Sequence, residues 1–133
     1  MSTQKIQKDE LLKKVKKVTL RSEETAERYV EFLEKGEKLN CIYCDRELFV
    51  KKFKHWVISE NRFPYDKISE LSHILYPKRH IAEEENFTDD EREELLKIKK
   101  EEMQDYDLIL ESTANSKSRP DHFHLHLLRY YRK

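Results

Sequence analysis

The sequence predicts a single α+β domain, with an antiparallel sheet of about five strands, one crossing helix and additional N-terminal helices. A chain of 133 residues is long enough for one ordinary domain with its own core. Apolar residues recur at helical spacing in three segments, and short segments rich in β-branched and aromatic residues lie between them. We expect a helical extension over residues 1–38 and a sheet-containing domain over residues 39–133, packed as one compact unit.

Two amphipathic helices are predicted in the N-terminal extension, over residues 5–18 and 22–35. Ser22, followed three residues later by Thr25, predicts the start of the second helix. Gly36, the only glycine in the chain, follows the second apolar stripe and predicts the end of that helix.

The remaining predicted elements are five strands and a third helix. The strands cover residues 48–50, 53–58, 72–76, 106–110 and 122–128. The first two strands are expected to pair as a hairpin, and Pro77 should end the third. Thr88 is expected to cap an amphipathic helix that runs over residues 88–105 and crosses the sheet.

Composition and charge argue against several classes of function. Lysine and arginine together number 27, as do aspartate and glutamate, so a general binder of polyanions is disfavoured. No apolar run reaches the roughly 18 to 20 residues needed to cross a bilayer, and the N-terminus lacks the apolar segment of a secretory signal. We expect a cytoplasmic protein without a membrane partner.

Two short motifs carry the chemistry. Cys41 and Cys44 are the only cysteines, and in a reducing compartment such a close pair is expected to bind a metal or to form a redox couple. His122, His124 and His126 alternate with apolar residues, so a strand would present the three imidazoles on one face, about 6 to 7 Å apart. Imidazole has a near-neutral pKa and a nucleophilic nitrogen. The alternative is a chance cluster of histidines on an exposed strand face.

The segment His122–Leu128 resembles the alternating signature of the histidine triad superfamily, which includes triad nucleotide hydrolases and galactose-1-phosphate uridylyltransferases. The segment His73–Ile81, with its Pro-Lys-x-His pattern, is similar to a strand of that superfamily, and Asn61–Tyr65 before it adds to the likeness. The resemblance covers about residues 40–129. It implies a histidine-triad-like fold and a reaction on a small nucleotide.

The resemblance also implies roles for the matching residues. Zinc-containing members hold the metal with a Cys-x-x-Cys pair and two histidines, whose counterparts here are Cys41, Cys44, His80 and His122. Four such ligands close a tetrahedron, so the zinc is expected to be structural. His124 corresponds to the nucleophile, and His126 to the residue that contacts a phosphate oxygen. The alternative for His126 is a hydrogen-bonded strand histidine.

Substrate contacts are expected in two loops. By resemblance, Asn61 contacts the ribose and Phe63 packs on the base; the alternatives are a loop-capping asparagine and a core aromatic residue. Asn115, Ser118 and Arg119 offer phosphate contacts in a loop without the glycines usual in the superfamily. Arg119 can equally be a surface charge.

The expected function is hydrolysis or transfer at the α-phosphorus of a small nucleotide ester, anhydride or phosphoramidate, through a nucleotidyl-histidine on His124. One alternative is a non-catalytic, zinc-stabilised nucleotide-binding or interaction module with a decayed phosphate loop. Another is a factor that processes nucleic acid 5′ ends, suggested by the basic and aromatic residues 129–133 but disfavoured because that segment is short. A homodimer is expected because many relatives dimerise.

Overall fold

The computed structural model describes residues 20–35, 41, 43–44, 49–113 and 121–132. In this part of the chain the elements are α1 Glu23–Lys35, β1 Phe49–Lys52, β2 Trp56–Glu60, β3 Ser69–Pro77, a 3₁₀ turn Glu84–Asn86, α2 Asp89–Glu101, β4 Leu108–Leu110 and β5 Leu125–Tyr130. The predicted helix over 5–18 and the end of α1 at Gly36 lie outside the described residues. No helix in the described ranges is long and apolar enough to cross a membrane.

The five strands form one antiparallel sheet in the order β1-β2-β3-β5-β4. The predicted sheet, its first hairpin and the crossing helix are therefore confirmed. Thr88 caps α2 as expected: its hydroxyl accepts from the backbone N–H of Glu91, and the Glu91 carboxylate accepts from the N–H of Thr88. Antiparallel partners share a face, so the pairing register decides which side chains meet.

The two faces of the sheet are both covered. Helix α2 packs on one face, where Leu95 and Ile98 join a cluster that contains the buried residues Trp56, Ile58, Leu75, Phe123, Leu125 and Leu127. The opposite face carries Val57, Ile74 and Tyr76, against which Cys41 and Tyr43 pack. The alternation within residues 122–127 therefore sends the apolar side chains towards α2 and the histidines towards the second face.

All five strands have bounds that differ from the predicted ones, and in three of them a specific contact explains the different start. The last strand begins at Leu125 rather than His122, because the N–H of Phe123 donates to the carbonyl of Ile81 instead of joining the ladder. The third strand begins earlier than predicted, at Ser69, because its first residues pair with the end of β5 across an irregular register. The fourth strand begins at Leu108, since Tyr106 belongs to a turn closed by Met103.

Helix α1 is attached at its N-terminal end to the loop 61–68 that joins β2 and β3. Ser22 caps the helix, because its hydroxyl accepts from the N–H of Thr25 and its carbonyl accepts from the N–H of Ala26. The Asp66 carboxylate in turn accepts from the N–H and hydroxyl of Ser22 and from the hydroxyl of Thr25. Burial opposes ionisation of Asp66, but these hydrogen bonds outweigh it and hold the pKa of Asp66 below its ordinary value.

Asp66→Asn is expected to lower the free energy of unfolding at pH 7 by about 1 kcal/mol, because it weakens hydrogen bonds to a charged acceptor. A depressed carboxyl pKa stabilises the fold above the unfolded-state value of about 3.9. This contribution is lost as the pH falls through the lower folded-state pKa, so wild type and variant should converge in acid. Urea unfolding of both proteins between pH 7 and pH 2.5 measures the difference, and a gap that stays constant in acid contradicts the prediction.

Candidate functional site

Four potential metal ligands meet beside the second face of the sheet. They are Cys41, Cys44, His80 and His122, and one ligand atom from each lies within 4.8 Å of all the others. The Cys41 sulfur lies 3.3 Å from Nδ1 of His122, and the Cys44 sulfur lies 3.3 Å from Nδ1 of His80 and 3.6 Å from Nδ1 of His122. Ligands about 2.0 to 2.3 Å from a tetrahedral ion are separated by roughly 3.4 to 3.8 Å. These distances fit one ion bound by all four residues.

His122 is oriented for such a ligand role. Its Nε2 lies 2.8 Å from the carbonyl oxygen of Pro77, an arrangement that places the proton on Nε2 and leaves Nδ1 for a metal. The side chain is 1% exposed, and burial lowers the pKa of His122, which favours the neutral imidazole that metal binding requires. The predicted ligand set is therefore brought together at one point, and it can hold a metal ion.

His124 and His126 lie next to one another, with ring centroids 5.3 Å apart and nearly perpendicular planes. Nδ1 of His124 is 2.9 Å from the carbonyl oxygen of His122, so this nitrogen donates and Nε2 carries the lone pair. Both rings are buried, with exposures of 4% and 3%. The predicted pair is thus adjacent but covered, rather than displayed on an exposed strand face.

Tyr65 holds His126 in place, and the sequence analysis did not identify it. Its hydroxyl lies 3.1 Å from Nε2 of His126, and the two rings are stacked with centroids 4.3 Å apart. Tyr65 is fully buried, which is the main reason that its pKa is raised and that it remains a neutral phenol. The Arg21 guanidinium lies over the Tyr65 ring, 4.6 Å from the ring centroid. No local pattern pointed to Tyr65, because its partner is 61 residues away in the chain.

Tyr43, one of the two residues between Cys41 and Cys44, packs in the same cluster as Cys41 and was also missed. Its ring centroid lies 4.9 Å from that of His124 and 5.6 Å from that of His122. It also packs on Tyr76 of β3, with centroids 5.0 Å apart. The Cys-x-x-Cys segment therefore supplies two of the four potential metal ligands, and its Tyr43 ring packs against His122 and His124.

Asn61 and Phe63 lie in the loop 61–68 that joins β2 and β3. The Asn61 amide oxygen accepts from the N–H of Phe63, and its NH₂ group donates to the Ser72 hydroxyl, so both ends of the amide stabilise the loop. Phe63 packs against α1, where the Tyr29 ring stacks on it. These are the contacts expected of the loop-capping and core alternatives, and the roles in substrate binding stay predictions. Asn115, Ser118 and Arg119 lie outside the described residues.

His73 and the two C-terminal arginines have local partners. Nδ1 of His73 lies 2.7 Å from the Tyr106 hydroxyl, on the α2 side of the sheet and away from His126. Burial raises the pKa of Tyr106 to about 12. Arg129 pairs with Glu70, and Arg132 pairs with Asp107. These two arginines are each compensated by an acid, and Lys133 lies outside the described residues.

Three solved structures resemble the described fold. A HIT family hydrolase from Clostridium thermocellum superposes with a TM-score of 0.53, at 17% identity, over 69% of this chain and 91% of the other. A hypothetical histidine triad nucleotide-binding protein from Sulfolobus tokodaii strain 7 gives 0.54 at 18% identity, over 70% of each chain. A histidine triad protein from Clostridium difficile gives 0.50 at 16% identity, over 73% and 95%. The chain has the histidine triad fold.

The likeness to these structures covers the arrangement of the sheet and α2. No protein-family model matches the sequence, and no curated protein matches it. The likeness to the solved structures therefore establishes the architecture, while the chemistry of this chain must be argued from its own residues.

Proposed function

We propose that this protein is a nucleotide hydrolase or nucleotidyltransferase that acts at the α-phosphorus of a small nucleotide ester, anhydride or phosphoramidate. The observation that carries the proposal is the pair His124 and His126 beside a fixed backbone carbonyl. Because Nδ1 of His124 donates to the His122 carbonyl, Nε2 is the ring nitrogen that carries the lone pair and is the nucleophile in this proposal. His126, 5.3 Å away, is near enough to serve the same phosphate group.

The proposed reaction has two displacements. Nε2 of His124 attacks the α-phosphorus, a phosphorus–nitrogen bond forms, and the bond from phosphorus to the leaving group breaks. The leaving group departs with a proton, for which His126 is the nearest imidazole donor. Water then attacks the same phosphorus and gives a proton back to His126, the phosphorus–nitrogen bond breaks, and a nucleoside monophosphate leaves with His124 neutral again. An acceptor other than water would make the second step a transfer.

Zinc is the metal that we propose for the four-ligand cluster. Two thiolates and two imidazoles form a donor set typical of structural zinc, and with all four residues bound, protein would fill every position of a tetrahedral site. The ion supplies no activated water in such a closed site. Its role is to hold the Cys-x-x-Cys segment and His122 together, and through the His122 carbonyl to keep the ring of His124 in position.

Intact-mass spectrometry after brief mixing tests the proposed function. The protein is mixed with dinucleoside polyphosphates, nucleoside phosphoramidates and nucleotide sugars, and the samples are kept out of acid so that a phosphorus–nitrogen bond survives. We expect a mass increase of one nucleotidyl group, and the size of the increase identifies the base. If no adduct forms and no compound in this set is turned over, the proposal is contradicted.

A non-catalytic nucleotide-binding module is the second candidate, and one observation favours it. His124 and His126 are both less than 5% exposed, so the attacking nitrogen is not open to solvent in this conformation. Under this alternative, nucleotides raise the melting temperature in proportion to the logarithm of their concentration, but no adduct and no product form.

Tyr65→Phe is expected to lower kcat about tenfold while leaving KM nearly unchanged, because it removes the hydroxyl that orients His126 but keeps the ring. The ¹⁵N chemical shifts of the His126 ring should change with the lost hydrogen bond, even without substrate. Tyr130→Phe, on an exposed ring, is the matched control and should change neither kcat nor the ¹⁵N chemical shifts of the His126 ring. An unchanged His126 spectrum in Tyr65→Phe excludes the positioning role.

A further inference from the structure

The buried Tyr65 hydroxyl has a second partner besides His126. It lies 3.1 Å from Nε2 of His126, and it also forms a side-chain hydrogen bond with Ser112. Ser112 is 8% exposed and lies two residues after the end of β4. The register of the sheet brings it to this place, because Leu110 of β4 pairs with His126 of β5. A serine hydroxyl, a phenol and an imidazole therefore form a chain of hydrogen bonds inside the protein.

We propose that Ser112 is a positioning residue of the reaction centre, which acts through Tyr65 to keep a proton on Nε2 of His126. Nδ1 of His126 is then the nitrogen that exchanges a proton with the substrate. The inference rests on the proposed function and deepens it, because it names the atom that serves the leaving group. The sequence analysis did not identify Ser112, and this residue does not belong to the four-ligand cluster.

The Tyr65 side chain is held from several sides, which leaves the direction of its hydroxyl proton as the variable. The Arg21 guanidinium lies over the ring, 4.6 Å from its centroid, and the His126 ring stacks on it at 4.3 Å. The backbone of Tyr65 is also bound, since its N–H donates to the Ser72 hydroxyl and its carbonyl accepts from the Ser69 hydroxyl. The phenol oxygen therefore stays beside Nε2, whichever group receives its proton.

The chain of hydrogen bonds can run in two directions. The Tyr65 hydroxyl can donate to Nε2 of His126, or it can donate to Ser112 and accept from an N–H at Nε2. Burial raises the pKa of Tyr65, so the phenol keeps its proton and cannot replace one that His126 gives away. The proposed reaction therefore requires the second direction.

The protons balance when Nε2 stays protonated throughout. Protonated His126 gives its Nδ1 proton to the leaving group and becomes a neutral imidazole whose remaining proton is on Nε2. The attacking water later returns a proton to Nδ1. Tyr65 accepts from Nε2–H in both states of the ring, and Ser112 accepts the Tyr65 proton in both.

Ser112 selects this direction, because its oxygen is the acceptor that draws the Tyr65 proton away from His126. When the serine oxygen is removed, Nε2 of His126 becomes the neighbouring acceptor for the Tyr65 hydroxyl. The neutral His126 ring then carries its proton on Nδ1 instead. Loss of the Ser112 hydroxyl should therefore change the tautomer of His126 while the ring stays in place.

The ¹⁵N spectrum of histidine-labelled protein distinguishes the two tautomers of the neutral His126 ring. We expect the Nε2–H form in the wild type and a shift of the population towards the Nδ1–H form in Ser112→Ala. Ser112→Thr keeps a hydroxyl and should retain the wild-type form. Ser72→Ala is the matched control and should leave the tautomer unchanged, because Ser72 is also 8% exposed but contacts the backbone N–H of Tyr65 rather than the phenol.

A double-mutant cycle tests whether Ser112 acts through Tyr65. Ser112→Ala alone should lower kcat about threefold to tenfold and leave KM nearly unchanged, as expected for the loss of one neutral hydrogen bond. In the Tyr65→Phe background the same substitution should lower kcat no further, because the hydroxyl that Ser112 orients is absent. Effects of the two substitutions that simply multiply would overturn the proposal.

The role of Ser112 and the proposed function can fail separately. A neutral wild-type His126 ring with its proton on Nδ1, or a folded Ser112→Ala variant with the wild-type tautomer, would overturn the role of Ser112 even if nucleotides are turned over. The expected tautomers without any adduct or turnover would support the control of His126 by Ser112 and contradict the proposed function. The wild-type spectrum keeps the test valid where Ser112→Ala does not fold.

Discussion

His124→Ala is expected to lower turnover at least about a thousandfold and to abolish the covalent adduct, because it removes the nitrogen that we propose as the nucleophile. The loss should appear in kcat, since His126, the loop 61–68 and the nucleotide contacts remain. The metal content should not change, because His124 does not belong to the four-ligand cluster. Steady-state kinetics and intact-mass spectrometry measure both effects.

The control for this prediction must separate lost chemistry from lost packing. His124 is buried against Tyr43, so truncation to alanine leaves a cavity and is expected to destabilise the fold by about 2 kcal/mol or more. His124→Asn keeps more of the side-chain volume and should be nearly as inactive. His55→Ala, in the β1–β2 turn, should retain activity. Turnover in a folded His124→Asn variant would remove His124 from the role of nucleophile.

Cys41→Ser is expected to remove the metal and to lower the melting temperature by about 10 °C or more, because a closed site contributes its binding free energy to folding. Cys41 is buried and its sulfur lies 3.3 Å from Nδ1 of His122, so no water can replace this ligand without a rearrangement. Elemental analysis should give about one zinc per chain for the wild type when it is purified without a metal-affinity tag.

Chelation supplies the control for the metal prediction. EDTA should bring the melting temperature of the wild type down to that of Cys41→Ser and leave the variant unaffected, since the variant has no ion to lose. Zinc returned to the wild type should restore the higher value. A wild-type protein that is metal-free and equally stable would exclude the zinc site.

The sequence by itself determined the features that depend on local periodicity and local capping. Alternation places residues 122–127 on two faces whatever the exact start of the strand, because successive side chains of an extended chain point in opposite directions. Thr88 predicted the start of α2, and Ser22 predicted the start of α1. A helix cap needs only a side-chain hydroxyl next to the first backbone N–H groups of the helix. The ligand set came from the resemblance, and its four members are close in space.

Only the tertiary structure decided how the site is closed. Tyr65 reaches His126 across 61 residues, and Arg21 reaches Phe63 across 42, contacts for which no spacing along the chain is diagnostic. The start of β5 depends on the hydrogen bond of the Phe123 N–H. This group donates to the carbonyl of Ile81, which lies outside the sheet. An amphipathic pattern in α1 predicts a buried face but cannot name the surface that it covers. The packing of Tyr29 on Phe63 is therefore knowable only from the folded chain, because it depends on where two distant segments meet.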